Sequence, residues 1–118
     1  MVNINKTQIE RVFLNLIRNA NDAIKGHADG KLIIKTSFQN RRIKIDFIDN
    51  GAGIPENIKN KIFEPFFTTK RVGQGIGLGL SVSFAIVKEH GGTIEVHSEE
   101  GRGTIFSVYL PVEYKTLS

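Results

Sequence analysis

A chain of 118 residues, 40% of them hydrophobic, suits one domain (residues 1–118) with one buried core. The absence of cysteine excludes disulfide scaffolds, zinc–thiolate sites and thiol catalysis, and fits a reducing, cytoplasmic setting. The net charge of +4 is mild and its basic residues are scattered, so an anionic nucleotide or an acidic partner fits it as well as nucleic acid does, and no nucleic-acid partner is expected.

No run is long or apolar enough to cross a bilayer and no secretory leader pattern is present, so no direct membrane contact is expected of this domain. Met1 to Asn5 alternates Val2 and Ile4 with polar residues and reads as a short edge strand. Thr7-Gln-Ile-Glu10 has the form of a capping box, which places a helix start near Thr7. Apolar residues then recur at helical spacing: Ile9, Val12, Phe13, Leu16, Ile17, Ala20, Ala23 and Ile24. Gly26 and Gly30 mark the stop. On this helix Asn15, Asn19 and Asp22 share an arc of roughly 60°, at about 100° per residue, beside the apolar stripe. Asparagine is a mediocre helix former, because its amide competes for backbone hydrogen bonds. The row fits a hydrated metal ion or a phosphate; it also fits an ordinary half-exposed boundary.

Lys31 to Phe38 and Arg42 to Asp49 alternate around a Gln39-Asn40-Arg41 turn and read as an antiparallel hairpin. The second strand runs into Asp49-Asn50-Gly51-Ala52-Gly53-Ile54-Pro55. An aspartate at a strand end, beside glycines that bring backbone in close, can accept from a bound donor such as the exocyclic amine of adenine, or can simply close an Asx-turn. Pro55-Glu56 opens a short helix ending near Phe63. Phe63, Phe66 and Phe67 then crowd into five residues around Pro65, as core or as a docking surface. Lys70 follows, either a solvated lysine or a point charge for a terminal phosphate.

From Gly73 to Ser81 the chain reads Gly-Gln-Gly-Ile-Gly-Leu-Gly-Leu-Ser, with glycine at every second position. Four glycines in seven residues cost backbone entropy in any regular element. Close approach of backbone N–H groups to a phosphate, beside a helix N-terminus, is one reason to have them; a surface loop is the other. The dinucleotide fingerprint and the P-loop both fail on spacing here. A helix is expected from about Leu78 to His90, capped by Gly91-Gly92, with His90 at a helix end that favours a cation. Thr93 to Ser98 and Thr104 to Leu110 form a second hairpin, closed by Pro111. His27, His90 and His97 have no metal-ligand or catalytic spacing. Hairpins with helices between them predict an α/β two-layer sandwich: a mixed, mostly antiparallel five-stranded sheet with about three helices on one face.

Together these segments resemble the ATP-binding catalytic domain of sensor histidine kinases, within the superfamily of gyrase, heat-shock chaperones and mismatch-repair ATPases. Asn15-Leu-Ile-Arg-Asn19-Ala resembles the N box, Asp49-x-Gly51-x-Gly53 the first glycine box, and Phe63-Glu-Pro-Phe-Phe67-Thr-Thr-Lys70 the F box. Gly75-Ile-Gly77-Leu-Gly79-Leu-Ser resembles the second glycine box, and Gly101-Arg-Gly103-Thr104 the last glycine-threonine motif. Five in order cover nearly the whole chain, and the Asn-Ala-x-Asp-Ala and Phe-Phe-Thr-Thr-Lys forms look most like the nitrogen-regulation branch.

The resemblance implies ATP and Mg²⁺ as cofactors. Asn19 would bind the metal and Asn15 would support the phosphates. Asp49 would accept from the adenine amine, with Gly51, Gly53, Ile54 and Thr104 around the ring. Gly75, Ile76, Gly77, Leu78, Gly79 and Leu80 would flank the phosphates through backbone N–H groups. Asn15 and Lys70 would be the catalytic residues, Lys70 within a short mobile lid from Thr68 to Gln74. Phe63, Phe66 and Phe67 would dock a dimerisation and phosphoacceptor domain of the same kinase, with a response regulator downstream. None of the three histidines has the acceptor context, so an excised catalytic domain is implied, one that does not phosphorylate itself. Superfamily hydrolases carry a glutamate base where this chain has Asn15, which cannot take a proton from water; that favours kinase over ATPase. A non-catalytic nucleotide-binding module is the remaining alternative.

Overall fold

The computed structural model describes residues 5–64 and 76–112. Helix α1 spans Lys6–Ile24 and buries Ile9, Val12, Leu16 and Ala20, the stripe its spacing predicts. Its cap is Asn5, not Thr7: the Asn5 side chain accepts from the Gln8 N–H at 3.2 Å. Asparagine ranks among the best caps, and taking that role two residues early leaves Thr7 inside the first turn.

Strands β1 (Leu32–Gln39) and β2 (Arg42–Asp49) form the first hairpin. Its turn residues Asn40 and Arg41 both have positive φ, at 52° and 62°, the backbone twist that suits a two-residue hairpin loop. A short helix α2 covers Glu56–Lys59, and single turns carry the chain on through Phe63. Helix α3 spans Ile76–Glu89, starting two residues earlier than expected. It ends as expected: Gly92 N–H donates to the Val87 carbonyl at 2.9 Å and Gly91 N–H to that of Lys88 at 3.0 Å, a paired C-terminal closure. Strands β3 (Thr93–Glu99) and β4 (Gly103–Pro111) form the second hairpin.

The sheet order is β1-β2-β4-β3, with every pairing antiparallel. This corrects the five-stranded mixed sheet: among the described residues there are four strands. The expected fifth, Met1 to Asn5, falls mostly outside them, and Asn5 itself is a helix cap. The two hairpins meet through β2 and β4, which also run antiparallel, so no parallel pair occurs among the described strands. Helices α1 and α3 pack against each other and onto the sheet, α1 chiefly over β2 and α3 over β3 and β4. The core between the layers joins the α1 stripe and Leu80, Ile86 and Val87 of α3 to Ile45, Phe47, Ile94, Phe106, Val108 and Leu110. The two-layer sandwich stands.

His90 departs from its expected role. The ring is buried, its Nδ1 lies 2.8 Å from the Ile86 carbonyl, and its Nε2 accepts the Asn5 N–H at 3.0 Å. An imidazole that accepts at Nε2 is neutral, so this helix end holds a neutral clasp between α3 and the start of α1.

Candidate functional site

The site is built along one ridge of α1. Asn15, Asn19 and Ala23 are four residues apart and so lie one above another on the same helix face, over about 12 Å. At one end, Asn15 Nδ2 donates to the Gly79 carbonyl at 3.2 Å and to the Ser83 hydroxyl at 3.1 Å, tying α1 to the first turns of α3. At the other, the Ala23 carbonyl accepts the Ala52 N–H at 3.2 Å, tying α1 to the glycine loop after β2. Asn19 sits midway, and its buried Nδ2 has no hydrogen-bond partner. A buried amide without a partner costs on the order of 1–3 kcal/mol, and a ligand oxygen would relieve it. Asp22, the third polar residue expected on this arc, has partners of its own.

The glycine loop is wedged in place on both sides. A Cβ on Gly51 would overlap the Ala23 carbonyl, and one on Gly53 would overlap the carbonyl of Glu99 at the β3–β4 turn. Gly53 also has φ +74°, a conformation side chains rarely adopt. Gly101 N–H donates to the Ala52 carbonyl at 2.7 Å, and Asn50 staples the 29–31 segment by accepting from Lys31 N–H at 2.7 Å and donating to the Asp29 carbonyl at 2.8 Å.

Beneath the loop a row of three side chains crosses the sheet, fixed by register: Asp49 of β2 opposite Thr104 of β4, opposite Ser98 of β3. Asp49 and Thr104 are both buried. The Asp49 carboxylate accepts the Gly51 N–H at 2.9 Å. Burial pushes its pKa above the usual carboxylate value, only partly offset by hydrogen bonds from the backbone of Gly51 and Thr104. Sequence reading missed Ser98. Its hydroxyl accepts the Ile54 N–H at 2.8 Å, donates to the Gly103 carbonyl at 2.9 Å and lies 2.8 Å from the Thr104 hydroxyl. Lys59 Nζ donates to the Ser98 carbonyl at 2.8 Å and pairs with Glu56. Ser83 was missed likewise. Serines in strands and helices carry no signal until the contact across the fold is known.

Both Asn15 Nδ2 hydrogens are engaged by α3, so Asn15 holds the second glycine segment in place and is not a free donor to phosphate. Phe63 is partly buried: its ring packs 5.3 Å from Phe84 and 6.3 Å from Phe106, centroid to centroid, at the margin of the core. Gly77 falls in the first turn of α3, with Ile76 and Leu78 either side, and Leu80 is in the core. Phe66, Phe67, Lys70 and Gly75, with the lid from Thr68 to Gln74, lie outside the described residues. Among the described residues no helix is long and apolar enough to cross a membrane, and no three or more His, Cys, Asp or Glu side chains cluster to hold a metal ion.

An antiparallel sheet covered by two helices, one of them bridging two glycine segments, defines a class of two-layer α/β domain. The chain belongs to the histidine kinase-, DNA gyrase B- and HSP90-like ATPase family, whose model matches residues 4–114. It is 41% identical to the sensor kinase CckA of Brucella abortus over 88% of its length, and 44% identical to the sensor histidine kinase ZraS of Escherichia coli K12 over 89%. The chain spans only 12% of the first relative and 22% of the second. Among solved structures it is similar to the nucleotide-free catalytic domain of the histidine kinase ThkA, with a TM-score of 0.78 and 39% identity, covering 93% of this chain and 70% of that one.

Proposed function

We propose that this domain binds ATP with Mg²⁺ and donates the γ-phosphoryl group to a histidine on a separate dimerisation and phosphoacceptor domain of the same sensor kinase, with a response regulator downstream. The observation that carries the reading is the ridge of α1. It joins the two glycine segments and leaves an unpartnered amide between them. The purine would lie at the Asp49–Thr104 row, where a buried carboxylate accepts from the 6-amino group, and the phosphates would run past Asn19 toward the start of α3. Named sensor kinases among the relatives, and the ThkA catalytic domain among the solved structures, support the same assignment.

The residues present fit a nucleotide-borne magnesium ion. Mg²⁺ takes oxygen ligands and is commonly held by few protein groups together with substrate phosphates and water. Asn19 would hold the ion by turning its amide over, so that the oxygen takes the place of the unpartnered Nδ2. When bound, the ion would neutralise charge on the phosphates. The chain's own groups position the donor: Asn15 fixes the start of α3, and the Asp49 row fixes the base. Phosphoryl transfer depends mainly on such positioning and on charge stabilisation. Lys70 would add a cation near the terminal phosphate, and Phe66 and Phe67 would contact the acceptor domain. The domain would act in the cytoplasm, as residues 1–118 of a single unit.

The test mixes this chain with a phosphoacceptor domain of a sensor kinase and γ-labelled ATP. Label is expected on the acceptor histidine and none on this chain alone. Steady ATP hydrolysis by the isolated chain, without transfer, would favour the hydrolase reading instead. Asn19→Ala is expected to abolish the difference between ATP affinities measured with and without Mg²⁺, by titration of a fluorescent ATP analogue. A Mg²⁺ dependence intact in the variant would rule Asn19 out as the metal residue.

A further inference from the structure

Resting on the nucleotide reading above, we infer that Ser98 is a positioning residue for base selectivity: it turns the Thr104 hydroxyl into an acceptor toward the ligand, so that the site takes a 6-amino purine and rejects a 6-oxo purine. A serine hydroxyl has one proton and two lone pairs. The Ser98 proton goes to the Gly103 carbonyl at 2.9 Å, and one lone pair receives the Ile54 N–H at 2.8 Å. With its proton on that carbonyl, Ser98 has only a lone pair left for the Thr104 hydroxyl 2.8 Å away, an arrangement that makes Thr104 the donor of the pair. Thr104 keeps lone pairs alone for whatever lies beside it.

Its neighbour across the strand pair is Asp49, whose carboxylate is also an acceptor and is held so by the Gly51 N–H at 2.9 Å. Two acceptors side by side match the two hydrogens of an exocyclic amine, directly or through a water. The same pair sets lone pair against lone pair where a purine carries a 6-oxo group. A site built to bond a group rejects the analogue that cannot make the bond more strongly than an apolar pocket does. Ser98 also links this row to the glycine loop through Ile54, so the loop that covers the base and the hydroxyl that reads it share one anchor.

The experiment measures dissociation constants of the whole 118-residue chain for ATP and for inosine triphosphate, which carries a 6-oxo group and N1–H in place of the amine. The parent should prefer ATP. Ser98→Ala releases the Thr104 proton to donate into the site, and should narrow the ATP preference by about tenfold, the scale of one hydrogen bond. Ser98→Thr keeps the hydroxyl and should restore the parent ratio. Should Ser98→Ala fail to fold, Ser98→Cys, of nearly the same size and a weak hydrogen bonder, should narrow the ratio in the same direction. Equal weakening for both nucleotides, with the ratio unchanged, would mean that Ser98 only braces the loop and would overturn the inference while leaving ATP binding intact. Failure of the parent to bind either triphosphate would instead overturn the functional reading on which the inference rests.

Discussion

Asp49→Asn is expected to weaken ATP binding roughly a hundredfold while leaving the domain at neutral pH at least as stable as the parent. The loss follows from the row's polarity. Gly51 and Thr104 point backbone N–H groups at this side chain, so an asparagine there must turn its carbonyl oxygen toward them. Its NH₂ then faces the site and opposes the adenine amine, donor against donor. Losing a hydrogen bond to a charged group and replacing it with that opposition accounts for the magnitude.

The stability half follows from burial. Desolvation raises the Asp49 pKa above its usual 3.8, so the ionised form is disfavoured in the folded chain. Between the unfolded value and the raised folded value, the native state holds a proton that the unfolded state has released. Stability therefore falls as pH rises through that window, and what Asp49 contributes is greatest below it. Asparagine does not titrate there, so the variant's stability relative to the parent should climb with pH across the window and level off above it. Chemical denaturation at a series of pH values checks this. A variant less stable than the parent by the same amount at every pH would mean that the carboxylate's hydrogen bonds outweigh its desolvation.

Gly53→Ala should cost roughly 3 kcal/mol of stability or more and remove nucleotide binding with it. A left-handed backbone conformation disfavours any side chain by about 1–2 kcal/mol, and Gly53 sits at φ +74°. The added methyl would also overlap the Glu99 carbonyl, which is backbone and cannot swing aside. Relief requires the loop to lift from the β3–β4 turn, and that breaks the Gly101 to Ala52 and Ile54 to Ser98 hydrogen bonds. Urea unfolding and ATP titration of the same variant check both halves. Full stability with normal binding would show that the loop does not need this close approach.

Most of the fold could be read along the chain because it is local. The α1 stripe follows from 3.6-residue periodicity, and the two hairpins follow from alternation around short turns. The glycine segments stood out because glycine at such density works against any regular element and so marks backbone that must come close to something. What escaped depends on contacts distant in sequence. Nothing in the neighbourhood of Ser98 announces that it will meet Ile54, 44 residues away, or of Ser83 that it will meet Asn15, 68 residues away. The helix start shifted because two good capping residues compete within three positions, and Asn5 is further held by His90 from the far end of the chain. Phe63 read as either core or docking surface because its cluster is aromatic and proline-broken, and its ring reaches Phe84 and Phe106, partners that the local sequence does not announce.

A ¹H–¹⁵N spectrum of the domain titrated with Mg-ATP bears most directly on a single pocket drawn from four segments, α1, the loop after β2, α3 and β4. Backbone signals of Asn19, Gly51, Gly53, Gly79 and Thr104 should move together along one binding curve, while those of mid-β1 such as Ser37 stay still. Shifts confined to β1 or to one of those segments, with the others unmoved at saturating nucleotide, would contradict it.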